Sequence, residues 1–319
     1  MIPMTLDEIG RVVGGTLADA NGATTVTGAA FLDSRHAEPG GLFVAVAGER
    51  VDGHEYAAAA VASGAAAVLG ARPTGVPTVV VTDPRAAWAE LARHLIDSLP
   101  DLTVLALTGS QGKTGTKDYL AQILAAAGPT AATVGNLNNE IGVPLTVLTA
   151  RRDTRFLVVE MGARGIGHIA FLCKIAPPQI GAVLNVGTAH LSEFGSREAI
   201  ARAKREILEA LPAEGVAVVN ADNEFTAAMA GRGPASTMTF GEAPGSDVTW
   251  RDVSYDDLGR PTAEFDIAGE RARISLTQAG EHQLHNAAAA AAMAHAAGVG
   301  VATIRHALEE ATSLSRWRM

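Results

Sequence analysis

Between residues 104 and 219 the chain carries four short, almost uninterrupted apolar runs: Val104–Leu107, Phe156–Val159, Val183–Val186 and Val216–Val219. Stretches with helical spacing separate them. Strands of a parallel sheet read this way, because helices cover both faces and neither face alternates with water. Each run ends in glycine or polar residues: Thr108-Gly109-Ser110, Glu160-Met161-Gly162, the stretch from Asn185 to His190, and Asn220-Ala221-Asp222. In open parallel sheets ligands sit beyond the carboxyl ends of the strands, so the pattern predicts one rim that gathers all four sets of polar groups.

The first hundred residues predict a smaller α/β unit. Thr5-Leu6-Asp7-Glu8 is a capping box, with Thr5 as N-cap and Glu8 three residues on. Leu42–Ala47, Ala67–Leu69 and Thr78–Val81 predict strands, and Tyr56–Gly64 a compact helix. Asp83 caps a further helix with Pro84 at its first position. Trp88, Leu91, Leu95 and Leu99 share one face of it, and Pro100 stops it. The predicted division is therefore 1–100 and 101–319. From Ser246 to Leu276 a looser pattern, turning at Asp256-Asp257-Leu258-Gly259, predicts an antiparallel extension of the sheet. Leu284–Ala297 and Val301–Ala311 predict two closing helices. The fold class is α/β: a small N-terminal α/β domain and a central domain with a mostly parallel sheet flanked by helices.

Composition narrows this picture. A chain of 319 residues fits two domains. With 48% hydrophobic and 18% charged residues it has the material for packed cores. Aromatics are only 4%, so those cores must be Ala, Val, Leu and Ile. A net charge of −9 argues against nucleic acid as a partner. The single cysteine, Cys173, excludes an intrachain disulfide and reads as a buried, inert thiol. The N-terminus lacks the basic and apolar regions of a signal peptide. The longest apolar tracts, 57–71 and 287–294, are Ala-dominated and shorter than the ~20 residues a span requires. A cytoplasmic, monomeric protein without a membrane span is expected.

Thr108-Gly109-Ser110-Gln111-Gly112-Lys113-Thr114 follows a strand and opens a helix, the setting of a phosphate loop. Its backbone N–H groups and the helix dipole favour an anion. Lys113 reaches toward β- and γ-phosphates, and the Thr114 hydroxyl can hold Mg²⁺. The spacing between the glycines is shorter than in the common loop.

Two carboxyl-end residues are candidates beside it. Glu160 ends its strand where a hard oxygen ligand could meet Mg²⁺, and His190 follows the next strand. Lys204 lies on the helix Ser196–Leu211, inside the apolar stripe of Ile200, Ile207, Leu208 and Leu211. Arg202, Arg205, Glu206 and Glu209 fall on the other side. Lys204 is either a snorkelling side chain or a partly buried amine of lowered pKa. A neutral amine reacts with CO₂ to give a carbamate, an anionic oxygen ligand. The amide-rich segment Asn136-Leu137-Asn138-Asn139-Glu140 suits sugar hydroxyls or a peptide. Asp33-Ser34-Arg35 and the loop from Gly48 through Glu49 and Arg50 to His54 could grip an anion.

In combination these residues resemble the Mur ligases, the ATP-dependent amide-bond-forming enzymes of peptidoglycan synthesis. The loop Thr108–Thr114, continued by Thr116-Lys117, is similar to that family's short phosphate loop. Ala201–Ile207 resembles the stretch that carries its carbamylated lysine, which would be Lys204. Gly280–Asn286 resembles its Gly-x-His-Asn-x-x-Asn motif near the adenine. Gln283 departs from that motif, so only His282 and Asn286 carry over. Asn136–Leu148, Glu160–Ala163 and Ala189–Gly195 are most similar to the branch whose amine substrate is D-alanyl-D-alanine. Asp33-Ser34-Arg35, Pro39–Phe43 and Asp52-Gly53-His54 resemble a uridine-binding first domain.

The resemblance implies ATP and Mg²⁺ as cofactors, and UDP-MurNAc-tripeptide and D-alanyl-D-alanine as partners. It implies Lys113, Glu160, His190 and Lys204 as catalytic residues, with Thr114, Glu160, His190 and carbamylated Lys204 toward metal. Gly109, Ser110, Gln111, Gly112, Lys113, Thr114, His282, Asn286 and Arg316 would bind nucleotide. Ser34, Arg35, Asn136, Asn138, Asn139 and Glu140 would bind substrate. The chain ends where the family's third, Rossmann-like domain begins, so weak or absent ligase activity is expected of it. Other readings are a diaminopimelate- or lysine-adding ligase, a folylpolyglutamate synthase-like ligase, a P-loop kinase and a non-catalytic UDP-sugar-binding protein.

Overall fold

The computed structural model describes residues 1–48, 51–189 and 191–314. They form two units: residues 1–100 with 140–153, and residues 101–139 with the described residues from 154 to 314. Among the described residues no helix is long and apolar enough to cross a membrane.

The larger unit is built on a nine-stranded sheet. Its order is Glu270–Ser275, Pro261–Ile267, Val248–Tyr255, Ser236–Phe240, Val216–Asn220, Ile180–Val183, Thr103–Thr108, Phe156–Glu160 and Thr130–Ala132. The strands from Thr130–Ala132 through Val248–Tyr255 are paired in parallel. The last three strands are joined antiparallel, the extension that the looser pattern after Ser246 predicts. Strand Thr103–Thr108 lies between Phe156–Glu160 and Ile180–Val183, so the chain reverses its direction of travel across the sheet at that point. A crevice opens at such a switch.

One strand is displaced from its predicted place. The run Val183–Val186 suggests a strand there, but the strand is Ile180–Val183, and 184–188 lie beyond its carboxyl end. The true start is masked by Gly181, where an added Cβ would meet Leu211 at 3.2 Å and the Ile207 carbonyl at 3.3 Å. Close helix packing, rather than apolar bulk, selects that residue.

Helix His282–Ala296 runs through the core. Ala287 to Ala294 are at most 1% exposed, with no solvent face. A helix buried all round shows little amphipathicity. Alanine allows its close approach to the sheet and to helices Lys113–Ala127 and Val301–Glu310.

The smaller unit has a five-stranded sheet in the order Thr16–Ala18, Thr78–Val80, Ala67–Gly70, Leu42–Val44, Ala30–Phe31. Only its Thr16–Ala18 edge pairs antiparallel. The capping box at Thr5 and Glu8 forms, and so does the Asp83 cap of helix Pro84–Asp97. The predicted helix Tyr56–Gly64 is a 3₁₀ turn, Gly53–Tyr56, followed by the α-helix Ala57–Ala62. The predicted strand Leu42–Ala47 stops at Val44, and Ala47 makes an isolated bridge to Asp52.

The division at 101–319 needs a correction, because residues 140–153 return to the first unit. Helix Gly142–Val147 packs on helix Pro84–Asp97, and the Trp88 indole N–H donates to the Ile141 carbonyl at 3.2 Å. Val143, Val147 and Leu148 are buried in that contact. No change of composition marks the excursion.

The alanine helix gives a direct test of the packing. Ala290→Leu adds a branched side chain where exposure is 0%. It should lower stability by about 1–3 kcal/mol in urea denaturation. An unchanged midpoint would show that the helix is looser than described.

Candidate active site

The parallel register brings the carboxyl ends of Thr103–Thr108, Phe156–Glu160, Ile180–Val183 and Val216–Asn220 to one rim, as the polar ends of the runs predict. The phosphate loop leaves the first of them. Gly112 has φ +79°, and a Cβ there would meet Asn286 Oδ1 at 2.7 Å. Glycine is demanded twice, by the left-handed backbone and by the neighbour. Helix Lys113–Ala127 starts immediately after it.

Asn185, just past its strand, braces the loop. Its Oδ1 accepts from Gln111 N at 2.9 Å, and its Nδ2 donates to the Gln111 carbonyl at 3.1 Å. Ser110 N donates to the Asn185 carbonyl, and Ser110 Oγ accepts from Gly187 N at 2.9 Å. Gly109 lies tightly against Leu184. Lys113 folds back, its Nζ donating to the Gly109 carbonyl at 2.8 Å. An incoming phosphate would compete for that ammonium.

Glu160 is fully buried at the end of the adjacent strand. Its Oε2 accepts from the Thr114 hydroxyl at 3.1 Å and its Oε1 from Asn138 Nδ2 at 2.7 Å. One carboxylate thus joins the phosphate-loop helix to the amide-rich segment. Among the described residues no group of three or more His, Cys, Asp or Glu could hold a metal. A hydroxyl and one carboxylate still fit Mg²⁺, which retains waters and takes few protein ligands beside phosphate oxygens. Asn136 is exposed, and its carbonyl accepts from Asn138 N at 2.8 Å in a turn. Asn139 belongs to the larger unit and Glu140 to the smaller.

Lys204 is 6% exposed on helix Arg197–Glu209, capped by Ser196. Among the described residues it has no hydrogen bond or ion pair. Burial, reinforced by repulsion from Lys113, pushes its pKa down to about 7. The second sequence reading therefore describes it, and the amine is partly neutral near neutrality. Glu206 is a correction, because helical spacing assigns it to the solvent face and it is buried. It accepts from Gly167 N at 2.5 Å and Ala170 N at 2.9 Å, capping helix His168–Ile175. Cys173 on that helix is buried, and burial pushes its thiol up to about 12.

Helix His282–Ala296 supplies the far wall. A cavity of ≈ 580 Å³ is lined by Gln111, Gly112, Arg197, Asn220, Phe240 and His282 among others. Asn286 Oδ1 accepts from the Thr116 hydroxyl at 3.3 Å. Gln283, the departure from the family motif, is buried, accepts from Asn286 Nδ2 at 3.2 Å and lies 3.3 Å from His282 Nε2. It occupies the place between the two carried-over residues. Arg197 and Asn223 both donate to the Val186 carbonyl at 3.2 Å. These residues went unread in the sequence. Asn185 and Asn220 had a signal, as polar residues following apolar runs. His190 and Arg316 lie outside the described residues.

The smaller unit has its own cavity, ≈ 600 Å³, lined by Asp33, Ser34, Arg35, Tyr56, Arg85 and Ile141 among others. Arg35 forks onto Asp33, with Nε to Oδ1 at 2.9 Å and Nη2 to Oδ2 at 2.5 Å. Those hydrogen bonds hold the Asp33 carboxyl well below its usual range. Arg35 therefore contributes as one half of a pair rather than as a lone cation. Arg85, beside the Asp83 cap, and Tyr56 were not legible as wall residues. His54 is buried and fully engaged: Nδ1 donates to Asp52 at 2.6 Å and Nε2 accepts from Ala71 N at 2.7 Å. It clamps the loop rather than facing a ligand. Glu49 and Arg50 lie outside the described residues.

The Lys204 environment fixes a pH dependence. In the unfolded chain its amine titrates near 10.5, and in the folded chain near about 7. Below the lower value both states are protonated, and the native state bears the full cost of a buried cation. Between the two values only the unfolded chain keeps the proton, so stability rises with pH. In CO₂-depleted buffer the urea midpoint of the native chain should gain on that of Lys204→Met across this window. Parallel curves would contradict the burial.

Known proteins can now be set beside this geometry. Residues 107–294 match the Mur ligase middle domain, and residues 30–103 match the Mur ligase family catalytic domain. The UDP-N-acetylmuramoyl-tripeptide–D-alanyl-D-alanine ligase of Mycobacterium tuberculosis is 44% identical over the whole chain, which spans 68% of that relative. A crystal structure of MurF from Acinetobacter baumannii superposes with a TM-score of 0.89 at 37% identity, covering 97% of this chain and 68% of that one. The MurF ligase of Thermotoga maritima, solved in complex with ADP, gives 0.76 at 34% identity, covering 88% and 66%. The family model covers more than half of the chain and the mycobacterial relative matches all of it, so a chain with this phosphate loop, buried Glu160 and alanine helix belongs to the Mur ligase family.

Proposed function

We propose that this chain acts in the ATP-dependent joining of D-alanyl-D-alanine to UDP-MurNAc-tripeptide. The reaction is an ADP-forming carboxylate–amine ligation through an acyl phosphate, in cytoplasmic peptidoglycan precursor synthesis. The observation that carries the reading is Glu160. A single buried carboxylate bonds both the phosphate-loop hydroxyl of Thr114 and the amide of Asn138. Nucleotide chemistry and acceptor chemistry are thereby tied to one group.

Each residue has a physical task in this reading. The backbone N–H groups of Gly109 to Gly112, with the helix dipole behind them, cradle phosphates. Lys113 leaves the Gly109 carbonyl to neutralise charge on the transferring group. Thr114 and Glu160 are the protein's hard oxygen donors for Mg²⁺, which when bound draws the phosphate and the acceptor carboxylate together despite their like charge. Lys204, with its lowered pKa, takes up CO₂ as a carbamate and adds an anionic oxygen. Asn136, Asn138 and Asn139 seat the acceptor on the larger unit, and Glu140 is assigned on the resemblance alone. His190 and Arg316 are assigned on the family motif alone. In the smaller unit the cavity of Ser34, Arg35, Tyr56 and Arg85 takes the uridine diphosphate end.

Calorimetry tests the reading on the chain as it stands. UDP-MurNAc-tripeptide should bind without ATP and more tightly than ATP does. Arg85→Ala should weaken that binding by about tenfold, the size of one lost charge-assisted contact. Lys113→Ala should weaken ATP binding markedly and leave the UDP-peptide unaffected. Absence of heat with the UDP-peptide, from a chain shown to be folded, would refute the assignment.

A further inference from the structure

His285 stands in the nucleotide cavity but is not one of the residues carried over from the family motif. It shares the first turns of helix His282–Ala296 with His282 and Asn286, at spacings that put all three on neighbouring faces. Its ring meets Trp250 edge-on, with centroids 4.8 Å apart at 80°. Its Nδ1 lies 3.8 Å from Asp222 Oδ2. Trp250 is 6% exposed, and the Asp222 carboxylate is pinned by Glu242 N at 2.9 Å and Ala243 N at 2.7 Å. Two fixed neighbours therefore orient the imidazole.

The sheet places Phe240, which lines the cavity with His285, relative to the phosphate loop. From Thr103–Thr108 the order runs through Ile180–Val183 and Val216–Asn220 to Ser236–Phe240. Three strand spacings amount to about 14 Å. That is the reach of an extended nucleoside triphosphate from its terminal phosphates to its base. A base anchored this way comes to the part of the cavity lined by Asn220, Phe240 and His285.

We propose that His285 is a specificity-determining residue that selects a 6-amino purine over a 6-oxo purine, an inference that rests on the nucleotide-binding reading above. The Asp222 carboxylate favours the tautomer with its proton on Nδ1, because that nitrogen faces the negative charge. Nε2 then carries a lone pair. It accepts a hydrogen bond from the exocyclic amine of adenine. The carbonyl oxygen of guanine presents a second lone pair to it and is repelled. Specificity of this kind comes as much from the mismatch as from the match.

Titration calorimetry of the chain with Mg-ATP and Mg-GTP tests this. The native chain should prefer ATP. His285→Ala should shrink the preference by about tenfold through weaker ATP binding. His285→Lys, a donor without a lone pair, should turn the preference toward GTP. Thermal melting confirms that each variant is folded, and Lys113→Ala should weaken both nucleotides without changing their ratio. A ratio unchanged in both His285 variants, or an equal loss of ATP and GTP in them, would overturn the proposal and leave the phosphate-loop reading standing. If the native chain binds neither nucleotide while still binding UDP-MurNAc-tripeptide, the nucleotide reading itself fails and takes this inference with it.

Discussion

Everything in the larger unit depends on how closely two helices approach at the phosphate loop. Asn286, on the buried alanine helix, sits where Cβ atoms on Gly112 and Gly115 would fall, at 2.7 Å from each. The Thr116 hydroxyl donates to the same amide. The loop cannot relax away from the cavity wall, and the wall cannot shift along the loop. Alanines one residue after another make this possible, since larger side chains would hold the axes apart. The low aromatic content is therefore a consequence of the site as well as of the core.

Burial of charge is the second constraint. Glu160 is fully buried, and the energetic cost of removing a carboxylate from water is met by donors on two different segments. Lys204 is buried without such compensation among the described residues, and its amine responds by releasing its proton more readily. One group keeps hydrogen-bond partners and stays fixed. The other lacks them among the described residues and yields its proton more readily. The contrast is set by neighbours alone.

Sequence patterns reveal those parts of the fold that rest on local rules. The strands Thr103–Thr108, Phe156–Glu160 and Val216–Asn220, the Thr5 and Asp83 caps and the phosphate loop all follow from apolar runs, capping chemistry and glycine spacing. The failures share a different cause. Gly181 conceals a strand because packing against Leu211 and the Ile207 carbonyl favours a small residue there. The return of 140–153 to the first unit is a long-range contact of Trp88 with Ile141, which no local pattern announces. Glu206 reads as a solvent residue by spacing and is instead a cap on a neighbouring helix. His54 reads as part of an anion grip and is a clamp.

The two cavities differ in how firmly their walls are held. Around the cavity beside the phosphate loop, backbone groups bind side chains from other segments: Asn220 Nδ2 to the Leu184 carbonyl at 3.0 Å, Arg197 and Asn223 to the Val186 carbonyl, Asn185 to Gln111. These contacts fix main chain that would otherwise be a loop beyond a strand end. A site for phosphoryl transfer needs that rigidity, because misplacement of the transferring group by an ångström is costly. In the smaller unit local turns, Asp33 to Arg35 and Asp52 to His54, combine with longer-range bonds from Ala71 N to His54 Nε2 and from the Trp88 indole to the Ile141 carbonyl. The turns shape the surface, and the His54 clamp ties it to the end of strand Ala67–Gly70. The task proposed for this cavity is to hold one end of a long substrate, where affinity matters and sub-ångström alignment does not.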